Sequence, residues 1–95
     1  MDEANDLSRK GEELIEELKR HIVKTLAQDP SGQHGGEGLG NVEIEHLSGL
    51  EIPLDRPPGK SQEHWLTWTI VQRLVADGIV EVVHSPKTRY RLATK

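Results

Sequence analysis

Cysteine is absent from the chain. That excludes disulfide staples and thiolate metal sites, and it fits a cytoplasmic location. No apolar run approaches the roughly 20 residues that a membrane span needs. The opening Met1-Asp2-Glu3 is acidic and has no apolar signal-peptide core. Aromatic side chains are scarce: Trp65, Trp68 and Tyr90 are the three present. Large aromatics dominate small cores. Both tryptophans are therefore expected inside, Trp68 more deeply than Trp65, the alternative being that one projects to stack on a base; Tyr90 is expected against helix 1 or helix 3. A chain of 95 residues makes one domain, 1–95, burying only about 60–65% of its unfolded surface.

The net charge of −4 conceals an asymmetry. Residues 1–55 hold 5 Lys+Arg and 13 Asp+Glu, a balance of −8; residues 56–95 hold 7 and 3, a balance of +4. The pI near 5.7 argues against a general polyanion binder. A local basic face is compatible with it, because fields are screened over about 8 Å at physiological salt.

Residues 1–7 are polar and expected to be disordered. A first helix is predicted from near Ser8 to about Gln28, with Leu14, Ile15, Leu18, Ile22, Val23 and Leu26 as its apolar stripe. Its acids, Glu12, Glu13, Glu16 and Glu17, precede its bases, Lys19, Arg20 and Lys24, as the helix dipole favours. Its length for so small a chain raises a second expectation, a homodimer through helix 1. Asp29-Pro30 stops the helix. Residues 29–40 read as a flexible glycine-rich loop. The spacing Gly36-x-Gly38-x-Gly40 lacks the preceding strand of a dinucleotide fingerprint. Asn41 is a candidate cap for a second helix over Val42–Ser48, buried through Val42, Ile44, Leu47 and Leu50 and ended by Gly49.

A proline-bearing loop spans 51–60. Gly59-Lys60-Ser61 looks like the end of a phosphate loop, but Leu54 stands where the motif needs glycine. Two readings stay open for the fragment: a phosphate-binding helix start, or a cap with a solvated lysine. Ser61 is the expected cap of a third helix in which Trp65, Leu66, Thr69, Ile70, Arg73 and Leu74 recur at helical spacing. Gly78 should end it in the left-handed conformation. Ile79–Val83 and Arg89–Ala93 read as strands around the turn residues Ser85-Pro86-Lys87-Thr88.

The run RLVADGIVEVVHSPKTRYRLATK, Arg73 to Lys95, resembles the second half of a winged helix-turn-helix domain. Leu74, Gly78 and Ile79 match a recurrent helix ending, and Tyr90-x-Leu92 a recurrent closing strand. Ile44 to Leu50, IEHLSGL, resembles the second helix and turn of the same superfamily. The long turn at 51–60 departs from that pattern, and resembles inserts in winged-helix domains of modified-DNA restriction endonucleases. The resemblance implies an α+β fold: three helices, a short strand after the first, and a C-terminal two-stranded hairpin wing. It also implies double-stranded DNA as partner, with helix 3 in the major groove and the wing on the backbone or minor groove. DNA-contact candidates are Lys60, Ser61, Gln62, His64, Thr67, Lys87, Arg89 and Arg91, with Glu63 and Gln72 as further base readers. The alternative is a protein–protein interaction module without DNA binding. No nucleophile–base pair or paired catalytic carboxylates stand out, so neither an enzyme nor a small-molecule substrate is expected. The five histidines form no helical i, i+4 pair, and neither metal nor cofactor is expected.

Overall fold

The computed structural model describes residues 3–52, 64–84 and 86–94. Three helices precede an antiparallel hairpin: α1 (Glu3–Gln28), α2 (Asn41–Ser48), α3 (Trp65–Ala76), β1 (Val80–Val83) and β2 (Arg89–Leu92). The fold is α+β.

Helix α1 starts at Glu3, five residues before the expected Ser8, so much of the stretch expected to be disordered is helical. Its 26 residues span about 39 Å. Only its C-terminal half reaches the core: Ile22 and Leu26 are buried, while Leu14 and Ile15, predicted on the same stripe, are exposed. The helix is longer than the elements that pack on it. Asp29 ends α1 as expected, and its carboxylate accepts the Ser31 amide at 2.9 Å. The Gln33 side-chain amide donates to the Ala27 carbonyl, satisfying an otherwise unpaired helix end.

Helix α2 begins one residue earlier than predicted. Gly40 precedes it, and the Gly40 amide donates to the Glu43 carboxylate at 3.1 Å. Asn41, the expected cap, turns its side chain toward α3 instead. Eight residues leave α2 one narrow buried face. Ile44 fills it and Leu50 packs alongside, whereas Val42 and Leu47 are exposed. Gly49 ends the helix: its amide and that of Leu50 turn back to the carbonyls of His46 and Glu45.

Helix α3 buries Thr67, Ile70, Val71 and Leu74, residues three and four apart. Gly78 ends it with φ +77°, the left-handed value expected. The amides of Gly78 and Ile79 return to Val75 and Leu74, satisfying carbonyls of the last turn. The strands pair Val80 with Leu92, Glu81 with Arg91, Val82 with Tyr90 and Val83 with Arg89.

The glycine-rich loop is not a loose tether. Leu39 and Tyr90 exchange both backbone hydrogen bonds at 2.8 Å, a one-residue bridge where a short strand was expected. The Leu92 amide donates to the Gly32 carbonyl and the Gly38 amide to Ser31. Gly38 has φ +93°, and a Cβ there would lie 2.7 Å from the Arg89 Cβ. Only glycine allows that approach. The core is Ile22, Leu26, Leu39, Ile44, Ile70, Val71, Leu74, Val80 and Tyr90, so every described element contributes, the bridge included.

Candidate nucleic-acid interface

Strand alternation sends Val80 and Tyr90 into the core and puts Arg89 and Arg91 on the other face of β2. The two arginines then diverge. Arg91 donates through Nε to Glu81 at 2.6 Å, its cross-strand neighbour, and through Nη1 to the Gly36 carbonyl at 2.8 Å. Rather than pointing freely to solvent, it rivets the glycine loop to the hairpin. Arg89 has no ion pair or side-chain hydrogen bond among the described residues, and Lys87 at the tip is exposed and equally free.

The side chains expected to read bases from α3 are placed differently. Thr67 is 0% exposed, on the inner stripe of the helix, and its hydroxyl has no hydrogen-bond partner among the described residues. A group so placed cannot touch a base in this fold. Gln72 donates its side-chain amide to the Tyr90 hydroxyl at 2.9 Å, joining α3 to β2. His64 stands just before α3, its Nδ1 2.8 Å from Oε1 of Glu45. A carboxylate only accepts, so the ring donates. Glu45 is buried apart from this contact, and the pair fastens the start of α3 to α2. Lys60, Ser61, Gln62 and Glu63, with most of the 51–60 loop and Ser85, lie outside the described residues.

What α3 offers outward is aromatic. Trp65 and Trp68 are 57% and 52% exposed, which overturns the expectation that they form core. The reason is rotational. Ile70, Val71 and Leu74 define the buried side, and the two tryptophans stand on the opposite face with Thr69 and Arg73. Beside Trp65 runs a groove of about 540 Å³ between α3 and the middle of α1, lined by Ile15, Leu18, Leu66 and Ile70. At its edge Asp77 receives Lys19 at 2.9 Å and Arg73 at 3.2 Å. The Lys19 hydrogen bond holds the Asp77 carboxyl below its ordinary value; in return Asp77, then Glu16, raise the Lys19 ammonium. Arg73 is thereby committed to Asp77.

Sequence reasoning missed the Glu45–His64 and Glu81–Arg91 pairs. Arg91 had a legible signal, since the expected hairpin register sets it opposite Glu81. Glu45–His64 had none, its partners being 19 residues apart across the loop. Among the described residues, no group of three or more His, Asp or Glu is placed to hold a metal ion, and no helix is long and apolar enough to cross a membrane. No family model, curated protein or solved structure matches the chain.

Proposed function

We propose that the chain is a winged-helix module, cytoplasmic and without catalytic activity, that binds double-stranded DNA chiefly through its hairpin. One observation carries the reading. Lys87, exposed at the tip of an antiparallel hairpin that follows three helices, and Arg89, half-buried at the first position of β2, are cations with no partner among the described residues. The other described cations of this half, Arg73 and Arg91, are engaged within the chain. Free cations at and beside the hairpin turn suit phosphate oxygens. The one-residue bridge at Leu39 adds the third strand position of a winged-helix layout. Lys60, Ser61 and Gln62 stay in the proposed contact set on sequence grounds; His64, Thr67, Gln72 and Arg91 leave it. What remains among the described residues is phosphate contact with few base readers, so sequence selectivity should be weak.

The test is a fluorescence-anisotropy titration against random duplex DNA at two salt concentrations. Changing Lys87 and Arg89 together to Ala should flatten the log–log salt slope by about 1.8, two contacts at about 0.9 each. Absence of salt-dependent binding at low ionic strength would sink the DNA reading.

The second reading, a protein-interaction module, is favoured by the exposed Trp65 and Trp68 beside an apolar groove. Under it, Trp65→Ala and Trp68→Ala abolish partner binding, and duplex DNA leaves tryptophan emission unchanged.

A further inference from the structure

A second face of α1 has a pattern that neither the core nor the DNA reading uses. Along one side of the helix run Glu13, Glu17, Arg20 and Lys24, at successive steps of four, three and four. All four are exposed, and none makes an ion pair or a side-chain hydrogen bond among the described residues. The order is acid, acid, base, base. In a lone helix Glu13 and Glu17 repel as i, i+4 neighbours, and neither closes an ion pair with a helical neighbour among the described residues.

Next to this row lies an apolar stripe, of which Leu7 is 72% and Leu14 47% exposed. The stripe continues into a groove of about 890 Å³ formed by Leu14, Leu18 and His21 with the row residues Glu17, Arg20 and Lys24. Farther down, a hollow of about 380 Å³ lies between His21, Thr25 and Gln28 of α1 and the exposed Leu47 of α2. Leucines crowd the upper half of this face, and hollows occupy its middle and lower parts.

We infer that this face is a self-complementary interface, and that its occupant is α1 of a second copy lying antiparallel across it. A two-fold axis makes residue i meet j while j meets i. In an antiparallel helix pair the same flank of each helix faces its mate. With the axis between Leu18 and Lys19, Glu13 and Lys24 are equidistant from it, as are Glu17 and Arg20. The two-fold therefore pairs every acid of the row with a base of the second copy, giving four ion pairs and no like-charge contact. The same register carries the exposed Leu14 of one copy onto His21 and Thr25 of the other, and its Leu7 toward Gln28 and Leu47. Parallel packing would bring this flank against the other flank of the second copy and leave the row without its complement. A partner of other sequence would need this same charge order by coincidence. The inference is independent of the DNA reading: α3 and the hairpin tip are not part of this face.

Sedimentation equilibrium of the full chain over a wide concentration range tests it. The wild type should form a monomer–dimer equilibrium. Leu14→Glu should raise the dissociation constant roughly a hundredfold, because each dimer loses two buried leucines. Glu13→Lys with Glu17→Lys should give a monomer, since each row then faces only bases. Adding Arg20→Glu and Lys24→Glu inverts the whole row and should restore the dimer. All replaced side chains are exposed or half-exposed, and unchanged circular dichroism will verify folding. A wild type that stays monomeric throughout, a Glu13→Lys/Glu17→Lys chain that dimerises like the wild type, or an inverted row that fails to dimerise would each overturn the inference.

Discussion

Replacing Thr67 by Val should stabilise this protein. Thr67 is fully buried on the inner stripe of α3, and its Oγ1 has no hydrogen-bond partner among the described residues. A buried hydroxyl left unpaired costs about 1–3 kcal/mol. Valine keeps the branched shape, exchanges the hydroxyl for a methyl, and has nearly the same helix propensity. The extra apolar group adds up to about 0.8 kcal/mol, which crowding in a closely packed site offsets in part. A net gain of about 1–2 kcal/mol is expected. For a domain of this size each kcal/mol moves the melting temperature by about 4–8 °C, so the midpoint should rise by roughly 5–15 °C. Thr67→Ser is the control: it keeps the unpaired hydroxyl and loses a methyl, and should destabilise by about 1 kcal/mol. Thermal melts followed by far-ultraviolet circular dichroism, with urea titrations to check an unchanged m-value, measure both. A Thr67→Val protein no more stable than wild type would mean that the hydroxyl is satisfied in solution, and the argument would fail. Duplex affinity gives a second readout: it should be the same for Thr67→Val and wild type, because a buried side chain cannot read a base.

Gly38→Ala should cost more than about 2 kcal/mol, combining a left-handed backbone with a clash against Arg89. Gly78→Ala, left-handed but facing open space, should cost only about 1 kcal/mol; urea midpoints of the two variants compare them. Asp77 is held below its ordinary carboxyl value of 3.8, so the stability it gains from Lys19 is present above that pH and lost as pH falls below it. Lys19 is raised above 10.5, so its side of the pair persists up to that pH and is lost as pH rises past it. Asp77→Asn should accordingly lower stability at neutral pH and flatten the acid limb of a stability–pH profile. Trp68→Ala should cost about 1 kcal/mol, far less than the 3–5 kcal/mol of a core aromatic, because half of the side chain already faces water; a melt close to that of the wild type would agree.

Local chemistry made the ends of the elements readable. Gly78 had to follow a helix and precede a β-branched run, and its φ of +77° agrees. The turn residues around Pro86 fixed where the hairpin bends, and alternation then set Tyr90 inward. Which side of each helix is buried was harder to read, because that depends on neighbours. On α3 the stripe Thr67, Ile70, Val71, Leu74 competes with Trp65, Leu66, Thr69, Ile70. Hydrophobicity alone favours the tryptophans, yet the helix turned the other way. The α1 stripe was read correctly at Ile22 and Leu26, but nothing in its sequence marks where the packing partners stop. For the candidate interface, type and charge pointed to ten residues, and contacts with Glu45, Glu81, Gly36 and Tyr90 took three of them away. Apart from Glu81–Arg91, which the hairpin register implies, those contacts span 18 to 55 positions along the chain, beyond the reach of local patterns.

The clasp between the glycine loop and β2 has a consequence for the order in which the chain can mature. Leu39 is a core residue whose backbone partner is Tyr90, and the Gly32 carbonyl waits for the Leu92 amide. Neither can be satisfied until about 50–60 further residues have been made, which at about 5–20 residues per second takes roughly 3–12 s. During that interval α1 can wind, since its hydrogen bonds are local, and α2 and α3 can cover part of Ile22 and Leu26, but the β2 side of the core stays open. A nascent chain halted before residue 90 would therefore present a core open where Tyr90 belongs, a substrate for chaperones and proteases. Maturation should come as one late, cooperative step when the last strand arrives, with little protection of the N-terminal half beforehand.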